Sequence, residues 1–258
     1  MKYHYKFLAL LFITLTVTSA LYSQQKMQPT RLLVMEDVVY PNKSFEYEKA
    51  QKAMNDFIKA SKIGLTWDCY QTDDYTYMYV IPFTTLSALD SLYDVWDKKF
   101  GALNQEDMNN HIKSFVGTIE GNNTIVVKLH PEASYHSPNP YVKPEEVKFI
   151  HWDFFEIIPG KEKEAWELSK QYNDINKKSG AGQDYDAWSV DFGPNSSTII
   201  FTTPSSSDAD FYSQMHQDEK KAGNQFDELY PKFMDCVHKF THFNGKPRPD
   251  LSITAAKM

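Results

Sequence analysis

Two stretches of this chain share one spacing of apolar and polar positions. Each opens with an apolar run that ends in Pro, a turn residue and Lys, first at Pro41-Asn42-Lys43 and again 118 residues later at Pro159-Gly160-Lys161. Apolar residues at helical spacing follow both runs, namely Tyr47, Ala50, Met54 and Phe57 in the first and Ala165, Leu168, Tyr172 and Ile175 in the second. Such residues share one face of an α-helix, so each stretch predicts an amphipathic helix. The shared offset predicts an internal duplication.

The second half of each stretch repeats at a larger offset, 122 residues. Tyr79-Val80-Ile81-Pro82 corresponds to Phe201-Thr202-Thr203-Pro204, and a Lys-Lys pair precedes both Gly101 and Gly223. We interpret the change of offset as a four-residue insertion in the second copy, near Gly180–Gln183. Insertions at loops are the changes that a duplicated fold tolerates best.

Each copy has the predicted order strand, helix, strand, strand, helix, strand. The first copy has strands at about 31–40, 65–71, 75–83 and 124–130, and helices at 44–61 and from 87 past 110, the latter broken at Gly101. The second has strands at about 148–158, 185–192, 197–203 and 241–246, and helices at 161–178 and 208–239, interrupted near Gly223. Pro138, Pro140 and Pro144 prevent regular structure between the copies. The predicted organisation is one repeat at 30–134, a Pro-rich linker at 135–146 and a second repeat at 147–254.

This order, with the strand-Pro-Gly-Lys-helix opening at 157–161, resembles the dimeric α/β-barrel superfamily, in particular the antibiotic-biosynthesis monooxygenases and the NIPSNAP-like proteins. The resemblance implies an α+β fold of two tandem ferredoxin-like βαββαβ units, packed sheet to sheet as a pseudo-dimeric α/β barrel. Helices cover one face of a ferredoxin-like sheet and leave the other apolar, so fusion supplies each sheet with its partner. The matching motif is structural and implies no particular chemistry.

The superfamily contains cofactor-independent monooxygenases, haem-degrading enzymes and haem-binding proteins. The monooxygenase branch is associated with an Asn, Trp and His set that does not map residue by residue onto this chain. The resemblance therefore leaves three functions open. These are a binder of a small apolar or aromatic ligand between the sheets, a monooxygenase or haem-degrading type of enzyme using the same cavity, and a structural or interaction module without a ligand.

Six residues are candidate ligand contacts between the two sheets: Trp67, Tyr77, Tyr79, His151, Asp153 and Trp188. His151 and Asp153 alternate on one face of a predicted strand, where buried polar groups need a partner or a wetted cavity. The alternative is that this strand begins at the exposed rim of the barrel. The aromatic residues suit a flat apolar ligand, or they pack within the sheets. Trp188 is predicted to occupy the place of Trp67 in the second copy.

His238 and His242 have the spacing that places two imidazoles on one helix face, if the last helix extends to them. The residues between them lack the Glu of the zinc-protease pattern, and the sequence offers no third ligand, so we predict no metal site. Cys69 and Cys236 lie far apart in the chain and on different predicted elements. Two buried free thiols are therefore favoured over a disulfide.

Composition and the amino terminus add predictions about partners and location. A net charge of −7 and a pI near 5.6 disfavour binding to phosphate backbones, so we expect no nucleic-acid partner. Lys2 and Lys6 precede an apolar run at 7–17 and then small residues, which is the order of a secretory signal. We expect residues 1–23 to be a signal peptide and the mature protein to be secreted or periplasmic, away from the membrane. The sequence leaves a homo-oligomer open.

Overall fold

The computed structural model describes residues 30–254 of the 258-residue chain. The predicted signal peptide at 1–23 lies outside the described residues, and its removal stays a prediction. Within 30–254, no helix is long and apolar enough to span a bilayer.

The two halves of the chain have the same order of elements. The first half contains β1 (Arg31–Val39), α1 (Ser44–Ala60), β2 (Asp68–Thr72), β3 (Thr76–Phe83), α2 (Leu86–Gly101), α3 (Gln105–Lys113) and β4 (Ile119–Leu129). The second half contains β5 (Phe149–Ile157), α4 (Glu162–Ser179), β6 (Asp186–Phe192), β7 (Thr198–Ser205), α5 (Asp208–Ala222), α6 (Gln225–Met234) and β8 (Val237–Pro247). Short 3-10 helices at Pro41–Lys43 and Pro144–Glu146 precede α1 and β5.

Local sequence fixes several helix ends. The Thr85 hydroxyl accepts a hydrogen bond from the backbone N–H of Ala88 and begins α2, and Ser207 does the same for α5. Gly180 ends α4 in the left-handed region at φ 67°, which a residue with a Cβ adopts at a cost. The predicted interruptions at Gly101 and Gly223 separate α2 from α3 and α5 from α6.

The eight strands form one closed antiparallel barrel in the order β1-β3-β2-β8-β5-β7-β6-β4. Each half contributes a four-stranded sheet, and the two sheets meet edge to edge at two seams, β2 with β8 and β4 with β6. Isolated bridges flank the seams at equivalent places, Trp67 with Ile253 and Tyr135 with Tyr185. The predicted α+β pseudo-dimeric barrel is therefore the observed fold.

Strand register places the four-residue insertion differently from the sequence prediction. Asp68 pairs with Val80 in the first half, and Asp186 pairs with Thr202 in the second. β2 and β6 therefore keep the smaller offset and β7 takes the larger one, so the insertion lies in the β6–β7 hairpin and not near Gly180–Gln183. The sequence misplaced it because both are polar loops that tolerate added residues.

The end of the last helix also differs from the prediction. α6 ends at Met234, and the chain enters β8 at Val237, so His238 and His242 both lie on a strand. Pairing of Val237 through Gly245 with β5 supplies backbone hydrogen bonds that a helix extension would forfeit. β4 likewise begins at Ile119, five residues before its predicted start.

Each strand has one face toward the helices and one toward the lumen, the space that the eight strands enclose. Helix-side cores include Phe155, Leu168 and Phe233 in the second half and Tyr47, Tyr77 and Leu251 in the first. A separate core fills part of the lumen with Val34, Met78, Ile125, Val127, Trp152, Val190 and Ile200. Both faces of the strands are therefore largely apolar.

Candidate functional site

The lumen contains a cavity of about 240 Å³. Seven strands, all but β8, contribute to its lining. The lining residues are Leu32, Val34, Glu36, Tyr70, Met78, Val80, Ile125, Val127, Ile150, Trp152, Phe154, Asp186, Trp188, Ile200, Thr202 and Pro204. Liquid water takes up roughly 30 Å³ per molecule, so this volume exceeds what a few waters need. An apolar enclosure with a few polar groups is the usual form of a small-molecule site.

Two tryptophans and a tyrosine give the cavity its flat surfaces. The Tyr70 ring meets the Trp152 ring edge to face, with centroids 6.3 Å apart and planes at 79°. Trp188 is held in place because its indole N–H donates to the Thr202 hydroxyl at 3.1 Å. By contrast, the Trp152 indole N–H and the Tyr70 hydroxyl make no hydrogen bond to any residue within 30–254. Burial raises the Tyr70 pKa to about 12, so the phenol is neutral.

A carboxylate, Glu36, lies among the apolar residues of the lumen. It is half-buried and forms one row across the sheet with Met78 and Tyr70, while Asn123 pairs with it on the other side. The Asn123 amide donates to Glu36 Oε2 at the long distance of 3.5 Å. Burial raises the pKa of Glu36, the Asn123 hydrogen bond lowers it, and the charge of Asp74 raises it, for a net increase.

A second carboxylate, Asp186, lies toward the opposite end of the barrel. β1 and β6 run in the same direction along the barrel. Glu36 lies in the second half of β1, whereas Asp186 is the first residue of β6. Asp186 has a close polar partner, because His136 Nε2 lies 3.2 Å from its Oδ1. Burial raises the pKa of Asp186, and His136 offsets part of that increase. Within 30–254, Glu36 therefore differs from Asp186 in having no histidine, lysine or arginine in ion-pair contact.

Of the six sequence-predicted contacts, Trp188 alone lines the cavity. The other five, Trp67, Tyr77, Tyr79, His151 and Asp153, lie on the helix side of their strands, which corrects their predicted placement between the sheets. The prediction correctly placed alternate residues of a strand on one face, but it assigned that face to the lumen and not to the helices. Trp188 is also not the counterpart of Trp67. It pairs with Ile200 as Tyr70 pairs with Met78, so Tyr70 is its equivalent in the first half.

Tyr77 and Tyr79 belong to the helix-side core of the first half. The Tyr79 hydroxyl lies 2.7 Å from that of Tyr47 on α1, which in turn donates to Asp37 at 2.6 Å. Tyr77 donates to Glu48 at 2.8 Å. These contacts attach α1 to the sheet, so the aromatic residues have a packing role.

His151 belongs to a buried polar cluster beneath α5. Its Nε2 lies 3.0 Å from Asp153 Oδ1, its Nδ1 lies 2.7 Å from Asn244 Oδ1, and its ring stacks on Phe211 at 4.5 Å. Burial lowers the pKa of His151, but the hydrogen bond and charge of Asp153, with the hydrogen bond of Asn244, outweigh it and leave the pKa raised. With both ring nitrogens occupied, the imidazole has no free position for a ligand.

The cysteines and remaining histidines form no metal centre in the part of the chain that the structure describes. Cys69 and Cys236 are both buried and unpaired, in agreement with the favoured prediction. No group of three or more His, Cys, Asp or Glu side chains within 30–254 could hold a metal ion.

The residues of the lumen do not fit haem. Haem iron is held by His, Cys, Met or Tyr, and the lining offers Met78 and a Tyr70 whose high pKa disfavours the phenolate. The two anionic haem propionates would need cations, and the described lining residues include the carboxylates Glu36 and Asp186 but no Lys or Arg. The described lining is mostly apolar, and Glu36 and Asp186 are its two carboxylates.

Comparison with known proteins supports the fold. No family model matches the chain, and no curated protein sequence matches it. An anthrone oxidase-like protein superposes with a TM-score of 0.58 at 10% identity, over 86% of this chain and 92% of that one. Monooxygenase-like proteins from Fusobacterium nucleatum and Lactobacillus acidophilus superpose with TM-scores of 0.51 and 0.50, each at 12% identity. They cover 85% and 84% of this chain and 93% and 94% of their own chains. The chain has the dimeric α/β-barrel fold.

Sequence reasoning missed Glu36, Tyr70 and Trp152 as cavity residues. A usable signal was present, because Leu32, Val34 and Glu36 alternate along β1 and the last of them breaks an otherwise apolar series. A carboxylate at the third position of a buried strand face is unusual enough to mark a site.

Proposed function

We propose that the lumen of this barrel binds a small apolar molecule of one or two aromatic rings. The observation that carries the proposal is the cavity of about 240 Å³ between Tyr70, Trp152 and Trp188. An apolar cavity of roughly 150 Å³ is enough to bind benzene in another protein. The cavity is partly open to solvent, so a ligand would displace water from apolar walls, which is favourable in proportion to the apolar area covered. With the predicted signal peptide, we propose that binding takes place outside the cytoplasm.

Naphthalene titrated against the purified chain residues 24–258 tests the proposal. We expect quenching of the tryptophan fluorescence and a rise in Tm that grows with naphthalene concentration. In an Ile200→Trp variant, whose new indole occupies the lumen, both signals should disappear. The matched control is Ile199→Val on the adjacent, helix-facing position of β7, which should bind as the wild type does.

Absence of binding in the wild type, or equal binding by the Ile200→Trp variant, would overturn the proposal. Circular dichroism establishes first that each variant is folded. Chemical conversion of an aromatic probe in the same titration would instead favour the enzymatic alternative, a monooxygenase-type activity in the same cavity.

A further inference from the structure

Glu36 breaks the symmetry between the two halves of the lumen. In the first half Glu36 pairs with Met78, and in the second the residue at the equivalent register is Phe154, which pairs with Ile200. Both side chains line the cavity. Because phenylalanine fills the equivalent place in the other half, the barrel does not need a carboxylate there to fold.

The hydrogen-bonding capacity of Glu36 is largely unused. A carboxylate has about four lone-pair positions, and within 30–254 Glu36 receives one hydrogen bond, from Asn123 at 3.5 Å. A carboxylate in apolar surroundings is costly unless its oxygens accept hydrogen bonds. A donor from a ligand would therefore stabilise this end of the lumen.

Two donors next to the cavity also lack acceptors. Trp152 is 7% exposed, and its indole N–H makes no hydrogen bond within the described residues. The same holds for the hydroxyl of Tyr70, whose ring contacts Trp152. Both residues line the cavity, and the only sealed side-chain atom without a partner within 30–254 is Asn173 Oδ1, so these two donors are open to water or to a ligand in the lumen. A ligand that both donates and accepts a hydrogen bond would satisfy Glu36 and at least one of these two groups.

We infer that the lumen selects a neutral aromatic alcohol of the phenol or naphthol class. Its hydroxyl donates to Glu36 and accepts from Trp152 or Tyr70, and its rings lie in the apolar space beside Trp188. This inference rests on the proposed binding of aromatic molecules in the lumen and adds the polar group and its orientation. An aromatic ammonium would satisfy Glu36 but offers no acceptor to Trp152 or Tyr70, so the alcohol is the better match.

The test compares 2-naphthol with naphthalene on the wild type and on two variants at position 36. The wild type should bind 2-naphthol about tenfold more tightly than naphthalene, the size expected for a hydrogen bond to a charged group. Glu36→Leu should remove that preference and leave naphthalene affinity within about twofold. Glu36→Gln keeps an acceptor oxygen and should retain part of the preference. Glu120→Leu, an exposed substitution on β4, is the matched control and should behave as the wild type.

Different outcomes separate this inference from the proposed function. If naphthalene binds and 2-naphthol binds no better, the selectivity is wrong while binding in the lumen stands. If the preference persists in Glu36→Leu, another group recognises the hydroxyl and the role of Glu36 is overturned. If 2-naphthylmethylammonium binds more tightly than 2-naphthol, the ligand class is wrong. If none of the probes binds, the proposed function itself has failed.

Discussion

Asn55 on α1 and Asn173 on α4 occupy equivalent positions in the two halves, but only Asn55 has both ends of its amide paired. Asn55 donates to the Leu251 carbonyl and accepts from Gln51, each at 2.8 Å. Asn173 donates to the Glu132 carbonyl at 2.9 Å, and its Oδ1 is buried without a partner within 30–254. The residue in the place of Gln51 is Ser169, which donates to Ala165 on its own helix. Ser169 is shorter than Gln51 and bonds within its own helix, so within 30–254 only the N–H side of the Asn173 amide is paired.

Replacing each asparagine by leucine should therefore have unequal effects. Asn55→Leu removes two hydrogen bonds and leaves Gln51 without its acceptor, which should lower the free energy of unfolding by about 3 kcal/mol. Asn173→Leu removes one hydrogen bond and also an unpaired acceptor, and should cost about 1 kcal/mol. Urea denaturation of the two variants measures the difference. Equal costs would mean that Asn173 Oδ1 has a partner, such as a buried water.

The His151 cluster should make stability depend on pH. Because the folded-state pKa of His151 is raised above its unfolded value of about 6.5, protonation stabilises the fold below that pH. This contribution is lost as the pH rises through the folded-state pKa. The facing groups are Asp153 on the same strand, Asn244 and His242 on β8, and Asp73 in the β2–β3 turn.

Urea denaturation across this pH range measures the dependence directly. The free energy of unfolding should fall with rising pH in the wild type and fall less in His151→Leu, which copies the equivalent residue Leu33. The difference between the two profiles isolates His151 from the other histidines. Parallel profiles would contradict a protonated His151 in the folded protein.

The positions of the helices could be predicted from the sequence more completely than those of the strands. The helices could be predicted because their apolar stripes have a period that only a helix explains, as at Tyr47, Ala50 and Met54. The strands could be located, but not their inner and outer faces, because apolar side chains cover both. His151 and Asp153 lie beneath α5, while the neighbouring Ile150 and Trp152 line the lumen. Which face of a strand points into the lumen depends on pairing between distant strands. The local alternation of residues does not predict it.

Adjacent isoleucines on β7 test this division between the two faces. Ile199 packs against α4 and α6, and Ile200 faces the cavity. Ile199→Phe should overpack a filled core and cost about 1–3 kcal/mol. Ile200→Phe should place its ring in free volume and leave the free energy of unfolding unchanged or higher. Thermal denaturation followed by circular dichroism compares them, and equal destabilisation would show that the lumen has no room.

For the whole molecule, closure of the barrel depends on two seams of unequal construction. The β2–β8 seam is short, from Tyr70 with Pro247 to Thr72 with Gly245. At Gly245 the strands approach so closely that an added Cβ would overlap the Gln71 carbonyl oxygen. Sequence could not reveal this requirement, because it arises between residues from opposite halves of the chain.

Gly245→Ala should therefore force β2 and β8 apart. The expected cost is about 2 kcal/mol or more, because the obstructing atom belongs to the backbone and has little freedom to move. Gly121→Ala on β4 is the matched control, since an added Cβ there meets no atom within 4 Å. Urea denaturation should separate the two variants, and a harmless Gly245→Ala would mean that β2 and β8 have room for a methyl group at this position.

The carboxyl-terminal segment reinforces the same seam through Arg248, which is 9% exposed. Its guanidinium donates to both oxygens of Glu48 at 2.6 and 2.7 Å, to both oxygens of Asp250 at 2.9 Å, and to Gln71 at 2.6 Å. Its hydrogen bonds are the main cause of the lowered pKa values of Glu48 and Asp250. The equivalent residue at the other seam is His130, which stacks on Trp166 at 3.9 Å and lies 2.9 Å from the Ser189 hydroxyl. The second seam also has an ion pair, from Arg31 Nε to Asp191 Oδ2 at 2.9 Å, so charge joins both seams and stacking is added at one of them.

Arg248→Met should cost about 3 kcal/mol, mainly because it leaves the partly buried Glu48 carboxylate without its ion-pair partner, whereas the more exposed Asp250 keeps Lys52 at 2.9 Å. His130→Leu keeps the apolar contact with Trp166 and should cost about 1 kcal/mol. The carboxylates add a test by pH. Their contribution is complete above the unfolded pKa values of about 4 and is lost as the pH falls through the lowered folded values, so acid should reduce the gap between wild type and Arg248→Met. A gap that stays constant into acid would mean that Arg248 acts by packing and not by charge.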